Sequence, residues 1–280
     1  MATATCYRHP GRETGVSCSR CERSICPDCM TPTSVGMRCP ECAGDSTKVR
    51  TPAFAASASS AAPATMAMIA INVAVFVVQL LTGSGGFEGV GTVYFEGALA
   101  GRAVGDGEWW RVLTAGFLHY GPIHLALNMF ILFILGRVLE PMIGTPRFVA
   151  VYLVSLVAGS LGALLLTDPG TFTVGASGAV YGVFGATLLM ARHRGDNMLL
   201  QQLGFWLVLN LVFTFARPGI SIGGHLGGLI AGAIAGALVI AAERSIGRRR
   251  RPTAELAGLA VLGIACFAAA VAVASSGVAA

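Results

Sequence analysis

Charge is what this 280-residue sequence has least of. Only 12% of its residues are charged and 14 are acidic, whereas 54% are hydrophobic. With a mean hydropathy of +0.70, that scarcity excludes an ordinary soluble globular chain and a polar disordered one. No Gly-X-Y period runs through its 37 glycines, so collagen is excluded as well. Residues 1–65 contain no apolar run able to act as a signal-peptide core, and the start of the chain is therefore expected to stay in the cytosol. The net charge of +5 does not by itself imply nucleic acid, and none is expected as a partner.

What is present falls into two chemistries. Apolar stretches occur at about 66–82, 123–139, 148–166, 176–191, 203–217, 221–242 and 256–275, several of them near the roughly 20 residues that a bilayer crossing needs. They predict an all-α polytopic membrane protein with seven spans. Rows of small residues, Gly178-x3-Gly182-x3-Ala186 in the fourth stretch and Gly224, Gly228, Gly232 and Gly236 in the sixth, predict helices packed backbone to backbone. With the N-terminus inside, 16 basic residues lie on the inner side and Arg102, Arg111 and Arg217 lie outside, so the positive-inside rule predicts that orientation and an external C-terminus. The expected organisation is a Cys-rich head at 1–45, an Ala/Ser/Pro linker at 46–65, a six-helix core at 66–242, a basic cytosolic loop at 243–255 and a seventh helix with its tail at 256–280. The bilayer, here the plasma membrane, is an expected partner.

An ionisable side chain within a span is costly and points to function. His124 and His225 each lie near the start of an outside-to-inside span, and Ser177 lies near the start of a third, which puts all three at one depth below the outer face. Asn128 follows His124 by one turn on the same helix face. Ser177 is flanked as Gly175-Ala-Ser177-Gly178, leaving backbone N–H groups uncovered at a helix start where an oxyanion can be held. No Asp or Glu occurs inside the seven stretches, so a serine/histidine dyad is expected without a carboxylate, with Tyr181 a candidate to stack on His225. A lone serine or histidine at a helix end is more often a capping residue. Three on three helices at one level are not alone.

Trp110-Arg111, His124-x3-Asn128, Gly175-Ala-Ser177-Gly178 with Tyr181, and His225-x2-Gly228-x3-Gly232 together resemble the rhomboid family of intramembrane serine proteases. The resemblance covers about residues 66–242. It implies Ser177 as nucleophile, His225 as general base and acid, and an oxyanion hole of His124, Asn128 and the Ser177 N–H. It implies fold-stabilising roles for Trp110 and Arg111 in the first loop, matches Glu140-x3-Gly144 to a structural position at the inner end of the second helix, and gives His119 a family counterpart near the water-accessible mouth. Gly224 departs from the alanine common there, and the seventh helix is an addition to the six-helix core, with Cys266 an inert small residue. The activity implied is cleavage of transmembrane segments of other membrane proteins. A non-catalytic receptor or chaperone of the same fold is the alternative.

Seven of the eight cysteines lie between Cys6 and Cys42. With His9 they form four pairs at x2 spacing, Cys6/His9, Cys18/Cys21, Cys26/Cys29 and Cys39/Cys42, which predicts two structural zinc ions that fold the head. The pattern resembles a B-box-type zinc finger. That resemblance implies cross-braced sites, Cys6, His9, Cys26 and Cys29 on one ion and Cys18, Cys21, Cys39 and Cys42 on the other; by spacing alone, sequential pairing stays open. Catalysis itself needs no cofactor, and the head is expected to bind a cytosolic protein partner.

Overall fold

A computed structural model describes residues 4–33, 36–44, 62–83, 89–246 and 253–277. Most of the expected linker and the Arg248 to Arg251 run lie outside the described residues. The chain divides into two compact units, Met1–Thr51 and Pro52–Ala280.

The first unit is a pair of small hairpins. Strand β1 (Ala4–Thr5) pairs antiparallel with β2 (Glu13–Thr14), and β3 (Thr31–Thr33) with β4 (Gly36–Arg38), before the short helix α1 (Pro40–Gly44). Its buried centre is Cys6, Cys18, Cys26, Cys29 and Cys39 around Ile25. One aliphatic side chain is too little apolar surface to offset the entropy of ordering such a segment, so a further source of folding energy is required.

The second unit is helical. Its long helices are α2 (Pro63–Thr82), α6 (Gly121–Ile143), α7 (Thr145–Leu166), α8 (Ser177–Arg194), α9 (Asn197–Ala216), α10 (Ile222–Ile246) and α11 (Thr253–Ser275). Six of these seven are long and apolar enough to cross a bilayer, which makes this an integral membrane protein. The fourth expected span, α8, falls short. It has 18 residues, closes on Arg192, His193 and Arg194, and ends at Gly195 in the left-handed conformation. It is nonetheless lined with buried residues from Ala179 to Ala191, so neighbouring helices rather than lipid surround it.

Small residues set that packing. A methyl group added at Gly228 would strike the carbonyl oxygen of Gly178, one at Gly232 would strike Gly182, and one at Gly223 would strike Gly162. Helices α7, α8 and α10 therefore touch through bare backbone, which brings the C-terminal end of α7 and the N-terminal ends of α8 and α10 to one place. Helices α9 and α11 lie at the periphery. The apolar window of α11 is 11% buried against 61% for α7. A bidentate ion pair from Arg147 on α7 to Glu255, at 2.5 and 3.0 Å, fastens α11 to this core.

The segment between α2 and α6 is more ordered than a simple loop. It forms α3 (Thr92–Gly97), α4 (Gly101–Gly105), α5 (Arg111–Thr114) and a 3-10 turn at Ala115–Phe117. Arg111 is buried at 6% exposure and donates to the carbonyls of Phe95 and Ala98 at 2.5 and 2.8 Å while pairing with Glu108. Trp110 donates from Nε1 to Glu96 O. At the other end of α6, the Glu140 carboxylate accepts from the first-turn amides of α2, Ala64 N at 3.0 Å and Thr65 N at 2.8 Å, and from the Thr65 and Thr145 hydroxyls. These amides have no partner within their own helix, and a carboxylate at a helix start also meets the positive dipole end.

Candidate active site and metal clusters

Ser177 opens α8. The chain enters it through Gly175, whose φ of +130° is a conformation that side chains disfavour, and whose N–H donates to Ala115 O at 3.0 Å. A Cβ on Gly175 would lie 2.8 Å from Cε1 and 2.9 Å from Nε2 of His124, and 3.7 Å from Ser177 Oγ. The glycine is thus what lets the His124 ring and the Ser177 hydroxyl approach the same point of backbone.

The two other histidines at this level are held differently. The His124 Nδ1 accepts a long hydrogen bond from Tyr120 N at 3.4 Å, which leaves Nε2, the atom beside Gly175, to carry the proton of the neutral ring. His119 is fully buried; its backbone N–H and C=O bond to the Gln79 side chain at 3.0 and 3.2 Å, and its ring lies edge-on to His124. Asn128 is buried and spends one amide proton on His124 O at 2.9 Å, within its own helix. Its second amide proton remains to donate.

His225 sits in the first turn of α10, 8% exposed. Its ring stacks on Tyr181 with centroids 4.1 Å apart and planes at 16°. Tyr181 follows Ser177 by one turn on α8, so the stacking places the imidazole on the helix face that carries the serine. Among the described residues no hydrogen bond joins Ser177 Oγ to His225. Such bonds are often long without substrate and tighten in the reacting complex. The histidine instead bonds through Nδ1 to Thr214 Oγ1 at 2.8 Å, a residue of α9 that the sequence reading did not single out. Its signal was there: Asn210 and Thr214 are polar residues one turn apart in an apolar stretch. Gly224, beside the histidine, has room for a methyl group against everything but the Ser221 side chain, whose Oγ would be 3.0 Å away.

In the first unit the eight expected ligands form two groups, Cys6, His9, Cys26 and Cys29, and Cys18, Cys21, Cys39 and Cys42, with ligand atoms within 4.8 Å of one another. A tetrahedral zinc ion with ordinary bond lengths sets N···S edges of about 3.6 Å and S···S edges of about 3.8 Å. His9 Nδ1 lies 3.8, 3.3 and 3.5 Å from the sulfurs of Cys6, Cys26 and Cys29, and Cys21 and Cys39 sulfurs are 3.8 Å apart. The surroundings favour the thiolate at Cys6, Cys18 and Cys21, whereas burial raises Cys29 and the Cys39 sulfur raises Cys42. Cys39 N–H donates to Cys18 Sγ and holds that thiol down at about 6, and the Arg23 guanidinium, 3.3 Å from Cys21 Sγ, lowers its neighbour. Both groups could hold a metal ion, and their chemistry fits zinc.

A family model described as the rhomboid domain matches residues 106–242. The chain is similar to the rhomboid protease GluP of Bacillus subtilis, 35% identical over 166 residues that cover 58% of this chain and 32% of GluP. It is also similar to YdcA of the same bacterium, 35% over 131 residues covering 44% of this chain and 63% of YdcA. A third relative is RHOMBOID-like protein 5 of Arabidopsis thaliana, 43% over 93 residues covering 33% of this chain and 30% of that protein. The chain thus spans less than two thirds of the length of each. The residues that match the rhomboid-domain model include Arg111, His124, Asn128, Ser177 and His225, all within one helical unit, and over them the chain is similar to a rhomboid domain.

Proposed function

We propose that this protein is an intramembrane serine endopeptidase that cuts transmembrane segments of other membrane proteins. The observation that carries the reading is the convergence of Ser177, His124 and the Tyr181-stacked His225 at the N-terminal ends of α8, α6 and α10. The names of its relatives as rhomboid proteases support it. Ser177 Oγ attacks the scissile carbonyl carbon while His225 Nε2 takes its proton. The oxyanion is met by His124 Nε2–H, the second Asn128 amide proton and the Ser177 N–H, donors held in place by their helices before the substrate arrives. The imidazolium then protonates the leaving amine, and water, activated by the same histidine, releases the acyl group.

A helix in lipid hides its carbonyls in hydrogen bonds, so the substrate is a single-pass segment weakened by Gly, Ala or Pro near its end. The excess of Lys and Arg in alternate connections supports an internal N-terminus, an external C-terminus and a site opening to the outer face of the plasma membrane. In the head, Cys6, His9, Cys26 and Cys29 hold one zinc ion and Cys18, Cys21, Cys39 and Cys42 the other. With four protein ligands each, both are structural. The test is incubation of purified protein with a model transmembrane substrate beside its Ser177→Ala variant. Cleavage by the wild type alone upholds the reading; no cleavage by either, with the substrate still bound, supports a non-catalytic helix receptor.

A further inference from the structure

Among the described residues the partner of His225 Nδ1 is a hydroxyl and not a carboxylate, so the question left by the dyad is what fixes the imidazole in the form that can accept a proton. A neutral imidazole has two tautomers, and only the one with its proton on Nδ1 presents a lone pair from Nε2. Stacking on Tyr181 sets the plane of the ring and is indifferent to the tautomer.

Thr214 Oγ1 stands at the junction of three contacts: 2.8 Å from the Asn210 carbonyl oxygen, 2.9 Å from the Tyr181 hydroxyl and 2.8 Å from His225 Nδ1. A threonine hydroxyl has one proton and two lone pairs. A carbonyl oxygen can only accept, so for all three contacts to be hydrogen bonds the Thr214 proton must go to Asn210. Both lone pairs then accept, one from the Tyr181 O–H and the other from His225 Nδ1–H. The network leaves His225 a single tautomer, with Nε2 free.

We propose that Thr214 is the positioning residue of the site, a neutral hydroxyl that holds the His225 proton on Nδ1 in the place where a water-soluble serine protease would use a carboxylate. The proposal rests on the Ser177/His225 reading given above and deepens it. Burial supports it: Thr214 is 2% exposed, and Leu199, Leu203 and Thr214 are the buried residues of α9, whose neighbours Val212, Phe213 and Phe215 face outward. In such surroundings a hydrogen bond is stronger than in water, and an unpaired Nδ1–H is correspondingly costly. The balance through the reaction is simple. The Ser177 proton passes to Nε2, the imidazolium keeps its Nδ1–H on Thr214 throughout, and the Nε2 proton leaves with the amine.

The experiment compares wild type, Thr214→Val, Thr214→Ala and Thr214→Ser in cleavage of a model transmembrane substrate and in the rate of Ser177 phosphonylation by a fluorophosphonate, with Ser177→Ala alongside. Valine and alanine remove the oxygen with opposite effects on volume; serine keeps it. The expected result is a fall in kcat of about tenfold or more for valine and alanine with KM within about twofold of wild type, a parallel fall in phosphonylation, and recovery of at least half of both by serine. Wild-type kcat and phosphonylation in either folded oxygen-free variant, or a serine variant as impaired as the valine one, would overturn the proposal. Cleavage by Ser177→Ala at the wild-type rate would instead overturn the dyad itself, whatever Thr214 does.

Discussion

The ring of Tyr181 lies flat on the imidazole of His225, 4.1 Å away, and its hydroxyl reaches past it to Thr214. The ring and the hydroxyl therefore have separable tasks. Tyr181→Phe keeps the stacked ring and should keep kcat within about threefold of wild type, since Thr214 retains its bonds to His225 and Asn210. Tyr181→Ala removes the surface that sets the imidazole plane and should lower kcat by about tenfold or more. Steady-state cleavage by the two variants checks this, and an equal loss in both would assign the effect to the hydroxyl.

His124 and Asn128 separate in the same manner. The Nε2 atom of His124 lies beside Gly175 and Ser177, whereas one Asn128 amide proton is already engaged on His124 O. His124→Ala should therefore lower kcat by roughly 10²–10³ with little change in KM, the range for loss of an oxyanion donor. Asn128→Ala should lower it as well, by a smaller factor if its remaining proton is a secondary donor. A variant that loses thermal stability but keeps its specific activity would mark that side chain as structural.

How much of this was legible in the sequence depended on the kind of residue. Glycine rows and helix-start histidines were readable because their spacing is set by the helical period, and the structure uses them as backbone contacts between α7, α8 and α10. Ser177 and His225 stood out because polar atoms in an apolar stretch are costly. Thr214 was not read because a threonine can satisfy itself on its own helix, as it does here with Asn210 O, so its second role exists only once α9 meets α8 and α10. The seventh apolar stretch was visible, but its attachment through Arg147 and Glu255, 108 positions apart, is a tertiary fact. The same holds for Gln79, which no local pattern connects with the backbone of His119.

Glu140 is the clearest structural prediction. Its carboxylate accepts four hydrogen bonds from α2 and the start of α7, all within 3.0 Å. Glu140→Ala leaves two buried amides unpaired and should destabilise the membrane unit by about 3 kcal/mol. Glu140→Gln keeps two acceptor lone pairs and should cost less. Thermal unfolding in detergent measures the order. An alanine variant as stable as wild type would show that water satisfies these amides instead.

The Cys-rich unit has its own centre, with Ile25 the one buried aliphatic residue among its described residues, and should depend on metal as the membrane unit does not. Elemental analysis should find two zinc ions per chain, falling to about one in Cys26→Ser. Chelation should unfold residues 1–45, read by hydrogen exchange, and leave protection of the long helices unchanged. Cleavage by a chain lacking residues 1–50 should stay within a few-fold of wild type. A folded but inactive truncation would make the first unit an activator of the second.

The most direct measurement of the central claim is to treat the purified protein with a fluorophosphonate and locate the adduct by peptide mass analysis. If Ser177 is activated by His225, the label is expected on Ser177 in the wild type and lost in His225→Ala, with the other serines unmodified in both. An unmodified Ser177, or labelling undiminished by loss of His225, would contradict the dyad.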